Sequence, residues 1–114
     1  MVHANSEAMF FDGGIHSREW IAPATVIYML DQLLSQYGKD NAITKVVDAL
    51  DFYILPLFNV DGYAYTWSKD RMWRKTRSTQ KGHICVGVDP NRNWDYQWDG
   101  AGTSNDPCTD TYEP

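Results

Sequence analysis

Residues 9–20 read MFFDGGIHSREW and join a short apolar run to a Gly-Gly turn and a polar cluster. The first part, MFFDGGI at residues 9–15, predicts a strand that runs into the turn. From Trp20 onward the apolar residues adopt helical spacing, with Pro23 suited to a first turn and Gly38 suited to the end of the helix. The polar cluster HSRE therefore lies between a predicted strand and a predicted helix.

A second helix and a second strand are predicted to follow. Asp40 can cap a short helix, and DFYILPLFN, residues 51–59, is a continuous apolar run of strand length. Such a run predicts a strand that is buried on both faces. The apolar residues expected to point inward are Val26, Met29, Leu30 and Leu33 on the first helix, and Ile43, Val46, Val47 and Leu50 on the second.

The order strand, helix, helix, strand gives at least one β-α-β crossover. We therefore predict an α/β fold with a mixed, largely parallel sheet flanked by helices. Two strands of this composition need neighbours to form a finished sheet. We expect residues 1–114 to be one part of a larger domain that is truncated at both ends.

Composition and charge narrow the class of protein. The 43% of hydrophobic residues and 14% of aromatic residues are typical of a packed globular domain. A net charge of −5 argues against nucleic acid as a partner, because such proteins carry a basic excess. No apolar stretch reaches the roughly 18–20 residues that span a bilayer, and the start of the chain lacks a signal peptide pattern. We expect no membrane partner.

The second half of the chain is predicted to be mostly turns and short elements. Asn59-Val60-Asp61-Gly62 predicts a turn, and residues 66–82 predict loop and short helix. The tail from Asp89 onward is rich in turn formers and has no long periodic segment. Six of the ten basic residues lie within one short stretch of the sequence, residues 69–81: Lys69, Arg71, Arg74, Lys75, Arg77 and Lys81.

His16 and Glu19 form the most informative polar pair. Zinc accepts imidazole nitrogen and carboxylate oxygen, and catalytic zinc sites use three protein ligands plus water. The pair could supply two of the three ligands. On spacing alone, however, the commoner explanation is a surface histidine beside a glutamate that favours the start of a helix.

A second set of candidates suits the binding of an anion. The guanidinium of Arg74 can pair with a carboxylate through two donors, and Asn91 with Arg92 can supply further donors. The alternatives are a solvated basic face for Arg74 and ordinary turn chemistry for Asn91 and Arg92.

The cysteines and the other histidines leave simple choices. Cys85 and Cys108 allow one disulfide, which would stabilise the chain by roughly 3 kcal/mol in an oxidising compartment, or they are two free thiols. His3 and His83 are expected in exposed loops. His83 is not assigned as a metal ligand, because it lies two residues before Cys85 in the loop.

The chain contains five ordered motifs that resemble the pancreatic A/B type of zinc metallocarboxypeptidase: GGIHSREWIAPAT, NVDGYAYTW, RMWRKTRST, CVGVDPNRNW and DPCTDTY. The resemblance covers nearly the whole chain. It implies that residues 1–114 are the N-terminal part of a catalytic domain with a metallocarboxypeptidase-like α/β fold. The implied activity is hydrolysis of C-terminal residues from peptides and proteins, with one Zn²⁺ in each complete domain.

The same resemblance assigns roles to individual residues. It implies that His16 and Glu19 are zinc ligands and that Arg74 polarises the scissile carbonyl and stabilises the oxyanion. Asn91 and Arg92 resemble the pair that holds the terminal carboxylate of the substrate. The remaining assignments are two arginines of the peptide subsites and a disulfide pair: Arg18, Arg71, Cys85 and Cys108.

Further expectations follow from the family. Its third zinc ligand and general base lie beyond the segments found here, so residues 1–114 alone are expected to be inactive. The complete protein is expected to be secreted and monomeric, while its side-chain preference stays open. The alternative is an inactive truncated product that binds peptide C-termini. Asn59-Val60-Asp61-Gly62 departs from the Pro-Asp-Gly of many members, and at a turn position we expect no effect on chemistry.

Overall fold

The computed structural model describes residues 7–96 and 98–114. The elements in chain order are β1 (Glu7–Asp12), α1 (Ile21–Gln36), α2 (Asn41–Ala49), β2 (Leu50–Leu55), α3 (Val60–Ser68) and a 3₁₀ turn (Pro90–Arg92). The chain divides into two compact units. We call them the sheet unit, Met1–Gly13 with Ile21–Phe58, and the loop unit, Gly14–Trp20 with Asn59–Pro114.

The sheet unit contains a β-α-α-β crossover. Strands β1 and β2 pair in parallel, from Glu7 opposite Leu50 to Asp12 opposite Leu55. A parallel pair needs a long connection, which α1 and α2 provide. The predicted α/β class is confirmed, although β1 begins at Glu7 rather than at residue 9 and ends at Asp12 before the Gly-Gly turn.

The signals predicted for the start and end of α1 and for the start of α2 are found in the structure. Helix α1 has Pro23 in its first turn and is followed by Gly38 at φ 74°, a left-handed conformation that favours glycine. Asp40 caps α2, because its carboxylate accepts hydrogen bonds from the amides of Ala42 at 2.8 Å and Ile43 at 3.0 Å.

The predicted burial of β2 on both faces is wrong for the described residues. Tyr53 in β2 is 57% exposed, and Phe10 in β1 is 58% exposed. Val46, expected to point inward from α2, is also exposed, and Leu50 begins β2 instead of ending the helix. A strand is buried on both faces only when packed layers cover both, and the sheet of the described residues has two strands.

The predicted turn at Asn59-Val60-Asp61-Gly62 is wrong, because these residues begin α3. Asn59 is the N-cap, and its side-chain Oδ1 accepts a hydrogen bond from the Gly62 amide at 3.0 Å. Asp61 in the first turn favours the helix dipole. Asparagine suits both a turn and an N-cap, so the local sequence does not distinguish the two.

The rest of the loop unit is held by short contacts rather than long elements, as predicted for the tail. Cys85 and Cys108 form a disulfide, which confirms the predicted pair. Ser104 and Tyr112 form an isolated bridge. His83 is exposed, as expected, whereas the expectation for His3 falls outside the described residues. No helix of the described ranges is long and apolar enough to cross a membrane.

Candidate active site

The loop unit contains all the residues that the sequence singled out for chemistry: His16, Arg18, Glu19, Arg71, Arg74, Asn91 and Arg92. Three of them converge. His16 and Arg74 both contact one buried carboxylate, that of Asp89, which the sequence analysis did not single out, and Glu19 contacts His16.

His16 lies between two carboxylates. Its Nδ1 is 3.0 Å from Oε1 of Glu19, and its Nε2 is 3.2 Å from Oδ1 of Asp89. The amide of Glu19 donates to the carbonyl of His16 at 3.2 Å. This tight turn brings the two side chains together, so the spacing H-x-x-E does place His16 and Glu19 side by side, as predicted.

Asp89 is fully buried and its carboxylate has several donors. Arg74 donates to Oδ2 through Nε at 3.1 Å and through a terminal nitrogen at 2.8 Å, and the Asn91 amide donates to Oδ1 at 2.9 Å. Burial alone would raise the pKa of Asp89, but hydrogen bonds from His16, Arg74 and the Asn91 amide outweigh it and lower the pKa from 3.8 to about 2.

The charge of Asp89 fixes how His16 carries its proton. An ionised carboxylate only accepts hydrogen bonds, so Nε2 of His16 carries the hydrogen that faces Asp89. The lone pair of Nδ1 then faces Oε1 of Glu19, and these two hydrogen-bond acceptors are 3.0 Å apart. A shared proton or a cation satisfies both acceptors. This donor set, with a carboxylate behind the imidazole, fits a zinc ion.

The described residues supply two such donors and not a complete set. Within residues 7–96 and 98–114, no cluster of three His, Cys, Asp or Glu side chains could hold a metal ion. The structure therefore brings His16 and Glu19 together as the resemblance implies, while their role as ligands stays a prediction.

Three residues of the basic run, Arg74, Lys75 and Arg77, are not part of a solvated face. Arg74 pairs with Asp89, and Lys75 is 3% exposed with its Nζ donating to the carbonyl of Pro107. Burial lowers the pKa of Lys75. Arg77 stacks over Tyr65 at 3.7 Å. These three side chains thus hold the loop unit together.

Arg18 and Arg71 make contacts within the loop unit. Arg18 donates to Asp110 at 2.9 Å and to the carbonyl of Met72 at 3.2 Å. Arg71 donates to the carbonyl of Arg18 at 2.8 Å, and its guanidinium lies 3.8 Å from the centre of the Trp20 ring. Their contacts position the segment that carries Glu19, and their predicted roles in substrate binding stay predictions.

Asn91 and Arg92 lie together beside a cavity of about 390 Å³ that Trp94, Tyr96 and Glu113 also line. Arg92 donates to the carbonyl of Asn91 at 2.8 Å. The backbone amide of Asn91 donates to the carboxylate of Asp89, which His16 and Arg74 also contact. The guanidinium and the side-chain amide in this wall suit a carboxylate ligand, whereas Glu113 in the same wall opposes one.

Asp89 is the functional candidate that sequence reasoning missed. Its partner His16 lies 73 residues away in the chain, so no local pattern pairs them. In the sequence Asp89 reads as the turn former of an Asp-Pro-Asn segment. The available signal was a single acidic residue directly after the apolar stretch Val86-Gly87-Val88.

The fold and the site define the class of protein. The sheet unit contains a parallel β-α-α-β crossover, and the loop unit contains a histidine–glutamate pair with a buried aspartate and an arginine beside it. The chain belongs to the zinc carboxypeptidase family, whose sequence profile matches residues 2–114. The resemblance stated from the motifs is therefore confirmed.

Individual relatives can then be named. Human carboxypeptidase B is 50% identical over 108 residues, which cover 95% of this chain and 26% of that protein. Mouse carboxypeptidase A2 is 50% identical over 105 residues, 92% of this chain and 25% of that protein. The crystal structure of thrombin activatable fibrinolysis inhibitor matches with a TM-score of 0.91 and 45% identity, over 98% of this chain and 28% of that one. The chain spans about a quarter of the length of these relatives.

Proposed function

We propose that residues 1–114 are part of the catalytic domain of a zinc-dependent metallocarboxypeptidase that hydrolyses C-terminal residues from peptides and proteins. The observation that carries the proposal is the meeting of His16 Nδ1 and Glu19 Oε1 at 3.0 Å, with Asp89 behind the imidazole. Membership of the zinc carboxypeptidase family supports it. We use the term complete domain for a full catalytic domain that includes this chain.

In this proposal His16 and Glu19 hold the zinc ion. When bound, the ion supplies a Lewis acid and lowers the pKa of a coordinated water to about 7. Asp89 keeps the proton of His16 on Nε2, so that Nδ1 presents its lone pair. The low pKa of Asp89 keeps this carboxylate ionised at neutral pH.

Arg74 is proposed to polarise the scissile carbonyl and to stabilise the oxyanion. Asp89 fixes its guanidinium through two hydrogen bonds, and a terminal nitrogen lies 4.0 Å from Oε1 of Glu19. A donor fixed in this way costs little reorganisation when charge develops on the substrate. One such donor contributes about 2.7–4 kcal/mol to catalysis in other enzymes.

Asn91 and Arg92 are proposed to bind the free carboxylate of the substrate. Both line the cavity of about 390 Å³, and a guanidinium matches a carboxylate through two parallel hydrogen bonds. Arg18 and Arg71 are proposed to contact residues further from the C-terminus of the peptide. Relatives of the B and A2 types match equally well at 50% identity, which favours neither side-chain preference.

The proposed partners and location follow from the same family. The partners are C-termini of peptides and proteins, not nucleic acids or membranes, and the complete domain acts as a monomer. An extracellular location is supported by the disulfide between Cys85 and Cys108, because such bonds persist in oxidising compartments.

The second candidate is a module that binds peptide C-termini without hydrolysis. It is favoured by one observation: Asn91 and Arg92 line a cavity of about 390 Å³ among the described residues. Zinc content and hydrolysis distinguish the candidates. We expect the complete domain to hold one zinc ion and to cleave a peptide with a free C-terminus, and His16→Ala to lose both. Peptide binding without zinc or hydrolysis would instead establish the second candidate.

A further inference from the structure

Asn59 uses both ends of its side chain, and the residue is 5% exposed. Its Oδ1 accepts from the Gly62 amide at 3.0 Å, which caps α3. Its Nδ2 donates to the carbonyl of Lys75 at 3.0 Å and lies 3.4 Å from the carbonyl oxygen of Ile15 and 3.5 Å from that of Arg74. The cap therefore fixes which end of the amide faces these three carbonyls.

These carbonyls belong to the two segments that carry the site. Ile15 directly precedes His16 in the chain. The other two carbonyls belong to Arg74 itself and to its neighbour Lys75. The backbone amide of Asn59 also donates to the carbonyl of Gly14 at 3.1 Å. One buried residue thus contacts the loop Gly14–Glu19 and the segment Trp73–Lys75.

Ser17 also connects the loop Gly14–Glu19 to the segment Trp73–Lys75. Its amide donates to the carbonyl of Arg74 at 3.2 Å, and its hydroxyl donates to the carbonyl of Trp73 at 2.7 Å. The backbone positions of His16 and Arg74 are therefore coupled through Ser17 and Asn59. The Ser17 amide offers a local probe of this coupling.

We propose that Asn59 is a positioning residue: the amide that begins α3 also holds the loop Gly14–Glu19 in register with the segment Trp73–Lys75. The inference rests on the proposed function for the identity of the site that Asn59 positions. A displacement of about 1 Å between catalytic groups can cost about 100-fold in rate, so one amide can matter without touching substrate.

Asn59→Asp separates the two roles of the side chain. Aspartate caps a helix as well as asparagine does, so the bond from the Gly62 amide is kept. The donor Nδ2, however, is replaced by an oxygen that faces the carbonyls of Ile15, Arg74 and Lys75. A residue that only caps α3 would tolerate this change, whereas a positioning residue would not.

Gly62→Ala tests the same contact from the other side. A Cβ at Gly62 would lie 2.6 Å from both Nδ2 and Oδ1 of Asn59, so the amide would have to move. Moving the amide also weakens the cap of α3, and the better helix propensity of alanine offsets part of that loss. Asp40→Ala is the matched control, because it removes the N-cap of α2 in the sheet unit.

The experiment measures kcat, KM, zinc affinity and hydrogen exchange in the complete domain. For Asn59→Asp and Gly62→Ala we expect kcat/KM to fall about 100-fold, mainly through kcat, and zinc to bind about 10-fold more weakly. In Asn59→Asp the Ser17 amide should exchange about tenfold faster while the Gly62 amide stays protected. Asp40→Ala should leave all four readouts at the wild-type values.

Wild-type kinetics and unchanged Ser17 exchange in Asn59→Asp would overturn the inference and leave Asn59 as a helix cap. If Asn59→Asp fails to fold, Gly62→Ala decides by the same criteria. If the wild-type domain neither binds zinc nor hydrolyses peptides, the proposed function is wrong. The exchange of the Ser17 amide still decides whether Asn59 holds the two segments together.

Discussion

The two units of the chain differ in the side chains that they bury. Large apolar side chains are exposed in both units, as Ile21 at 77% and Ile84 at 100% show, and the buried side chains of α1 in the sheet unit are the apolar Pro23 and Val26. In the loop unit the buried side chains are largely polar. They are His16, Ser17, Asn59, Thr66, Lys75, Asp89 and Glu113.

The loop unit satisfies its buried polar groups with one another. Among the described residues, no buried side-chain nitrogen or oxygen lacks a hydrogen-bond partner. Such a network is stable only when it is complete, because each member left unpaired costs its desolvation energy. We therefore expect single substitutions to cost more in the loop unit than in the sheet unit, and the site to depend on the loop unit alone.

The largest expected effect is that of Asp89→Ala. This change leaves Arg74 and His16 without their shared carboxylate, and breaking a buried ion pair costs about 3–5 kcal/mol. Urea unfolding of the complete domain measures the loss. A loss below about 1 kcal/mol would mean that the network does not hold the loop unit together.

The disulfide comes next. Replacing Cys85 and Cys108 by serine releases a loop in which the cysteines are 23 residues apart, which should cost roughly 3 kcal/mol. The double variant is compared with wild type by urea unfolding, with and without a reductant. Reductant should destabilise the wild type and leave the variant unchanged. Equal stability of wild type and variant in the absence of reductant would contradict the prediction.

Acid should weaken the loop unit through Asp89. The folded pKa of about 2 lies below the ordinary value of 3.8, so the ionised carboxylate stabilises the fold above pH 4. This contribution, about 2 kcal/mol, is lost as the pH falls from 4 to 2. Asp89→Asn should flatten this part of the curve of unfolding free energy against pH. A curve of wild-type shape in Asp89→Asn would assign the acid sensitivity to other groups.

The smallest expected effect lies in the sheet unit. Asp40→Ala removes the acceptor for the amides of Ala42 and Ile43 and should cost about 1 kcal/mol. Thermal unfolding and peptide hydrolysis are measured together. A clear loss of kcat/KM at unchanged zinc content would show that the site also depends on the sheet unit.

The difference between the units also decides what the sequence could predict. Pro23, Gly38 and Asp40 mark the helices of the sheet unit through contacts within a few residues, and these predictions are confirmed. The burial of β2 depends on layers that pack against it, so its apolar composition did not predict the exposure of Tyr53. Local signals define elements, but burial depends on what surrounds them.

The residues of the candidate site also differ in whether a local sequence pattern could predict their contacts. His16 and Glu19 are three residues apart, and their spacing was enough to predict that they meet. Asp89 pairs with His16 across 73 residues of chain, so only the fold reveals it. Asn59 carries the signals of both a turn and a helix cap, and its contacts with Ile15 and Lys75 lie 44 and 16 residues away in the chain.

The most direct test of the account compares two peptides that differ only at the C-terminus, one a free acid and one an amide. If Asn91 and Arg92 bind the terminal carboxylate in the complete domain, the amide leaves a desolvated guanidinium unpaired. That costs about 2–5 kcal/mol, so kcat/KM should fall roughly 30- to 4000-fold for the wild type. Arg92→Ala should abolish most of this difference. Equal cleavage of both peptides by the wild type would contradict the carboxypeptidase assignment.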